Sequence, residues 1–232
     1  MEENKIFNIT PYIDFFLPRF CPACNKKLSE SERCICDECF STIKRADADR
    51  LNSEFERKFT STKIISGFTS LFVFEKDKAL QSLIHSIKYN KRFLNAKFLG
   101  NLISSELGEK IIEWNIDVIL PIPLHHLKKA ERGYNQSEFI VKGMSSKLRI
   151  PYTTRALKRV RYTESQTAFN LEQREKNISN AFKVKNKNKL IGKNILIVDD
   201  VITTGSTIGE CGKALLESGS KSVYACSVAI AD

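Results

Sequence analysis

The chain has 232 residues, 42% hydrophobic and 28% charged, and its 37 Lys and Arg against 27 Asp and Glu give a formal net charge of +10. That composition excludes a disordered or fibrous chain, and the length allows one sizeable domain or a moderate domain with a small satellite. The longest apolar run, Val118 to Leu124 with its two prolines, is far short of the ~18 residues that cross a bilayer as a helix, so no membrane insertion is expected.

The start, Met1-Glu2-Glu3-Asn4, lacks the basic opening and apolar run of a secretory leader, which makes the cytoplasm the expected location. Residues 1 to about 20 carry Phe7, Ile13, Phe15, Phe16, Leu17 and Phe20, too apolar a set for a free tail, and read as a docked segment. They lead into five of the seven cysteines, crowded between residues 21 and 39. In a reducing compartment such clustering favours a metal over disulfides. Cys21-x-x-Cys24 and Cys36-x-x-Cys39 each place two thiolates at the separation that tetrahedral zinc accepts, so these four form one closed structural site. Cys34 is spare, because using it would break the second turn. A segment this small cannot fold on apolar burial alone, and bound zinc would supply most of its folding energy. The alternative, a redox pair, lacks the strand–helix unit that usually carries one.

A boundary near residue 60 separates this knuckle domain, residues 1–60, from a larger domain, residues 61–232. Ile64 to Phe74 is rich in β formers around Ser66-Gly67. Leu80, Leu83, Ile84 and Ile87 recur at helical spacing, and a second helix is predicted from Phe93 to about Leu107. Asp117 to Leu124 reads as a buried strand whose prolines sit at its carboxyl end. A helix follows over Asn135 to Leu148. Arg155 to Lys189 is polar and basic and reads as a short strand plus a long excursion, and a loop of that length is usually functional. Lys193 to Val198 ends in a continuous apolar run typical of a central parallel strand. A helix from Ser206 to Ser218, capped by Gly219, and a strand from Ser222 to Ile230 complete an α/β pattern with a parallel sheet. Cys211 and Cys226 fall on its apolar faces.

The most informative stretch is Val198-Asp199-Asp200-Val201-Ile202-Thr203-Thr204-Gly205-Ser206-Thr207. In open α/β sheets ligands bind just beyond the carboxyl ends of strands, and this strand releases two carboxylates there. Thr203, Thr204, Gly205, Ser206 and Thr207 then open a helix, whose unpaired N–H groups and partial positive charge suit a phosphate monoester. Gly205 allows a close backbone approach. Two acids beside a phosphate need hydroxyl donors between them, and a ribose diol supplies these, so a sugar phosphate is the expected ligand, gripped by acids that face an open cavity. Ordinary capping is the plainer reading, but one hydroxyl suffices for a cap.

This run resembles the 5-phosphoribosyl 1-pyrophosphate (PRPP) signature of type I phosphoribosyltransferases. Further blocks resemble the ComF/GntX family: the two C-x-x-C turns; Ile87-Lys88-Tyr89 followed by Arg92; Pro121-Ile122-Pro123-Leu124-His125; Glu131 to Glu138; and Arg159 through Gln166 and Arg174 to Phe182. The resemblance implies a type I phosphoribosyltransferase fold behind a zinc-ribbon-like knuckle, with PRPP bound as its magnesium complex. Asp199 and Asp200 would hold the ribose hydroxyls as the catalytic pair, and Thr203 to Thr207 the 5′-phosphate. Leu124-His125-His126 would be the pyrophosphate loop, helped by Lys88, Arg92 and Arg132. Arg161, Gln166, Thr167 and Arg174 would belong to a flexible lid, and Ile64 to Phe74 with the amino-terminal region would form a hood over the acceptor.

The implied chemistry is displacement of pyrophosphate at C1 of ribose, which needs leaving-group charge neutralised and water excluded. Of the histidines, His125 is the pocket candidate, while His126 and His85 read as surface or helix residues. Arg132 to Gln136 reads either as part of the site or as a helix entry capped by Asn135. Lysines and arginines at 155–161 and 183–193 read as solvated surface or as a track for single-stranded DNA, with Tyr162 or Phe169 for stacking. Two functions are therefore open. One is a competence-type PRPP-binding protein that handles incoming single-stranded DNA with a helicase-like partner. The other is a phosphoribosyltransferase of nucleotide or amine metabolism.

Overall fold

The computed structural model describes residues 18–76, 78–161 and 180–231. Among these, four parallel strands lie in the order β1-β6-β5-β2, where β1 is Gly67–Val73, β2 Val118–Pro121, β5 Asn194–Ile202 and β6 Ser222–Ile230. The strands β3 (Leu157–Arg159) and β4 (Phe182–Val184) form a separate antiparallel ribbon. Alternation sends Leu196, Val198, Cys226 and Val228 into one apolar layer and Ile195, Ile197, Val223 and Ala225 into the other. A strand covered on both faces must be apolar at every position, which is why β5 reads as an unbroken run.

The first layer holds α3 (Ala79–Tyr89), α4 (Phe93–Glu113), α6 (Gln136–Leu148) and the cysteine knuckle with its helix α1 (Asp37–Ser41). The second holds α7 (Ser206–Glu217), the β3–β4 ribbon, and α2 (Ala48–Phe55) with the π-helical turn Glu56–Thr60. α4 extends past the predicted end near Leu107 because Gly108 and Ile111 remain buried. Its backbone touches that of α6: a Cβ on Gly100 would lie 2.0 Å from the Ile140 carbonyl oxygen, and one on Gly143 would lie 2.2 Å from that of Lys97.

Two expectations are corrected. Ile64 to Phe74 is no hood. Phe68 to Val73 are buried within the sheet as β1, hydrogen-bonded to β6 on one side and on the other to Lys44–Ala46, where Ala46 N–H donates to Leu71 O at 3.0 Å and Val73 N–H to Lys44 O at 3.0 Å. The loop after β2 extends only as far as His125. It turns directly into a short helix, α5 (His126–Arg132), which Gly133 ends at φ +81°. None of α5 is buried, so no apolar periodicity marked it.

Candidate functional site

β5 runs through the acid pair, and Asp199 lies opposite Ser227 in the ladder. Asp199 Oδ1 accepts from Ser137 Oγ at 3.0 Å and from the Asp200 N–H at 2.9 Å. Asp200 is 4% exposed; its Oδ2 meets Lys88 Nζ at 2.8 Å and accepts from Gln136 Nε2 at 3.2 Å. The expectation of two open carboxylates is thus met only in part: Asp199 is half-buried, whereas Asp200 is closed over by an ammonium and an amide. Burial, and then the Asp200 charge, push the Asp199 carboxyl up to about 7 despite Lys88 and its hydrogen bonds. Burial disfavours the Lys88 ammonium, but Asp200, with help from Asp199, outweighs that and raises its proton affinity.

The partners reach the acids because α6 is fastened to the end of β2. Asn135 caps α6 by accepting the Ser137 N–H at 3.1 Å, and its Nδ2 donates to Ile122 O at 2.9 Å. Ile122 N–H in turn donates to Val198 O at 2.9 Å, next to the acid pair. The cap therefore aims Gln136 and Ser137 at Asp200 and Asp199. Lys88 lies in the last turn of α3, whose Ile87 carbonyl accepts the Tyr134 hydroxyl.

Beyond β5, Thr204 Oγ1 and Ser206 Oγ lie 2.9 Å apart at the start of α7. Gly205 has φ +80°, and a Cβ there would lie 2.8 Å from Phe59 Cε1. No side chain fits this position, because the loop lies flat on the π-helical turn. Thr203 is exposed and Thr204, Ser206 and Thr207 are half-buried, so the hydroxyl run stays accessible.

Other expected residues separate. Arg132 Nη1 donates to Gln136 Oε1 at 3.0 Å and its guanidinium stacks 5.2 Å from the Tyr89 ring centre, so it steadies the amide on Asp200. His125 is 5% exposed and caps α5; burial, reinforced by His126 and nearby cations, lowers its proton affinity. Arg92 turns away: its Nη1 donates to Phe20 O at 2.9 Å and it lines a cleft of about 570 Å³ with Cys21, Pro22 and His85 on the knuckle side. Gln166, Thr167 and Arg174, with Tyr162 and Phe169, lie outside the described residues, and Arg161 is exposed at their edge.

Gln136 enters the sequence reading only within the stretch Arg132 to Gln136, as part of the site or of a helix entry, and Ser137 and Lys58 are not singled out there as site residues. The first two lie in the quoted block after Gly133, next to the cap, and that adjacency was the available signal. Arg159, read as solvated surface, is half-buried against Phe182, 5.5 Å from its ring centre, and feels the Asp199 charge.

The sulfurs of Cys21, Cys24, Cys36 and Cys39 lie within 4.8 Å of one another, and those of Cys24 and Cys36 are 3.6 Å apart. A tetrahedral zinc with Zn–S of ~2.3 Å spaces its sulfurs by about 3.8 Å, so the set could hold that ion. Cys21 and Cys24 sit on a hairpin whose Cys21 N–H donates to Lys26 O at 2.8 Å, and Cys36 caps α1. Burial raises the Cys21 thiol, but N–H groups of Cys36, Cys24 and Ala23 outweigh it and bring the thiol down to about 7. Cys34 lies outside the set, buried, its thiol pushed up to about 12.

The family model described as the phosphoribosyl transferase domain matches residues 94–231, more than half of the chain. The chain belongs to that family. This phosphoribosyl transferase domain protein is 33% identical over 144 residues to Competence protein F of Haemophilus influenzae, covering 60% of this chain and 63% of that protein. It is 32% identical over 147 residues to DNA utilization protein YhgH of Escherichia coli K12, covering 62% and 64%. It is 27% identical over 218 residues to Competence protein ComFC of Streptococcus pneumoniae, covering 84% and 87%. The chain therefore spans a little under two thirds of the first two relatives. The parallel sheet is the fold expected of the phosphoribosyl transferase domain.

Proposed function

We propose that this protein binds PRPP, as its magnesium complex, at the carboxyl end of β5. The observation that carries the reading is the junction itself: a central parallel strand delivers Asp199 and Asp200 directly to a hydroxyl-rich turn that opens α7 around a left-handed Gly205. Asp199, the more accessible acid, and Asp200 would grip the ribose diol, with Ser137, Gln136 and Lys88 exchanging their present bonds for ligand contacts. Thr203 to Thr207 would take the 5′-phosphate. Lys88, Arg132 and His125 would face the pyrophosphate. Arg161, Gln166, Thr167 and Arg174 would close over it. Magnesium would offset the diphosphate charge.

The four-cysteine set fits structural zinc, and residues 1–60 would serve as the metal-bearing accessory to a phosphoribosyltransferase-like body at 61–232. The relatives' names, and exposed Lys158 and Lys183 directly opposed in the β3–β4 ribbon, support a cytoplasmic role in taking up or processing single-stranded DNA with a helicase-type partner. Like charges facing one another are unfavourable, and a phosphate backbone would relieve them.

Calorimetry with PRPP and magnesium tests the site: wild type should titrate to saturation, and Asp199→Asn/Asp200→Asn should give no binding heat. Equal heats would refute it. Pyrophosphate release from PRPP on addition of an amine or base would favour the second reading, a transferase of nucleotide or amine metabolism.

A further inference from the structure

Lys58 is an unusual lysine. Its side chain is 3% exposed, it lies in a π-helical turn, and its Nζ pairs with Glu54 Oε2 at 2.9 Å. The same ammonium donates to the carbonyl of Thr203 and, at 2.9 Å, to that of Ala231. One buried cation thus joins α2, the residue after the last strand and the first residue of the hydroxyl turn. Next to it, Phe59 is 1% exposed and underlies Gly205, and Lys58 Cβ itself would stand 3.2 Å from a Cβ at that glycine.

We infer that Lys58 is a positioning residue for the 5′-phosphate, and this rests on the PRPP reading above. A trans peptide points its C=O and its N–H in opposite directions. Fixing the Thr203 carbonyl against Lys58 therefore fixes the Thr204 N–H as well, aimed away from the ammonium. Without that anchor the peptide between Thr203 and Thr204 can rotate, and the donor would be oriented only after the ligand arrives. Packing alone does not explain a lysine here, because an apolar side chain of equal length would fill the space and avoid burying an ammonium. Glu54 balances the charge and is itself 3% exposed, held also by Arg50 at 2.9 Å and Arg57 at 2.6 Å. Because Glu54 keeps two other cations, Lys58 can be replaced without leaving a bare buried carboxylate.

The test uses the full-length, zinc-loaded protein and two probes, ribose 5-phosphate and magnesium pyrophosphate, titrated into wild type, Lys58→Met and Arg50→Met. Arg50→Met removes a charge from the same glutamate without touching the turn. The expected result is a loss of about tenfold or more in ribose 5-phosphate affinity for Lys58→Met, the range of one hydrogen bond to a charged group. Pyrophosphate affinity should be unchanged in that variant, and both affinities near wild type in Arg50→Met. Should Lys58→Met not fold, Glu54→Gln/Lys58→Met removes both charges together and carries the same expectation. Undiminished ribose 5-phosphate binding, or an equal loss of both probes, would overturn the inference while leaving the PRPP site standing. Failure of the wild type to bind either probe would overturn the site and the inference together.

Discussion

Replacing Asp199 by asparagine should make the ligand-free protein more stable at neutral pH while removing its grip on a ribose diol. The amide keeps an oxygen for the Ser137 hydroxyl at 3.0 Å and the Asp200 N–H at 2.9 Å, so the substitution removes charge rather than hydrogen bonds. In the folded protein burial and the Asp200 charge raise the Asp199 carboxyl from 3.8 to about 7. Between those values the folded state keeps a proton that the unfolded chain has released. A group raised in this way contributes fully below about pH 4, loses that contribution as pH rises toward 7, and is level beyond. One pH unit is worth ~1.4 kcal/mol, so the three-unit window sets a ceiling of about 4 kcal/mol. Solvent screening at this half-buried carboxyl reduces the net gain of the variant to ~1–3 kcal/mol above pH 7. Urea unfolding of both proteins from pH 4.5 to 8.5 reads this directly. The curves should nearly meet at the acid end and separate in favour of asparagine as pH rises. A difference that is constant with pH, or that favours aspartate at pH 8, would refute the electrostatic account of the pair.

Other substitutions probe the neighbouring parts. Gly205→Ala combines a left-handed φ with a Cβ 2.8 Å from Phe59 and should lower stability by ~2–4 kcal/mol in thermal melts, whereas Gly133→Ala, at φ +81° with nothing within 4 Å, should cost only ~1 kcal/mol. Equal losses would mean that the close approach of the loop to the π-helical turn is unimportant. Lys88→Met strips the cation from an Asp200 side chain that is 6% exposed, and unfolding at pH 7 should become easier by ~2–3 kcal/mol; an unchanged midpoint would show the ion pair to be dispensable. Metal analysis of the purified protein should find one zinc per chain, and Cys24→Ser should lose it together with several degrees of melting temperature. A full complement of zinc in that variant would exclude the four-sulfur site.

Much of this protein is legible along the chain. Apolar runs of strand length alternate with helical periodicity, which yields an α/β sheet. An acid pair at the end of the apolar run Ile195 to Val198 marks its carboxyl edge. Two C-x-x-C turns mark a metal knuckle, because two intervening residues bring sulfurs together locally. Less legible were the cations that meet the acids. Lys88 does so, and Arg92, four residues on, donates instead to Phe20 O because α3 has already ended at Tyr89.

What a sequence determines here is whatever depends on neighbours in the chain: periodicity, turn chemistry, and the spacing of thiols and carboxylates. Tertiary structure alone decided the rest. Asn135 hooks the Ile122 carbonyl and so turns Gln136 and Ser137 onto the acids. Lys58, 145 residues from Thr203, becomes a support of the turn after β5 only because the π-helical turn packs beneath Gly205. Such pairings have no local signature, since each is set by where separate elements come to rest on a shared core, and in one dimension Lys58 is only a charged residue four places from Glu54.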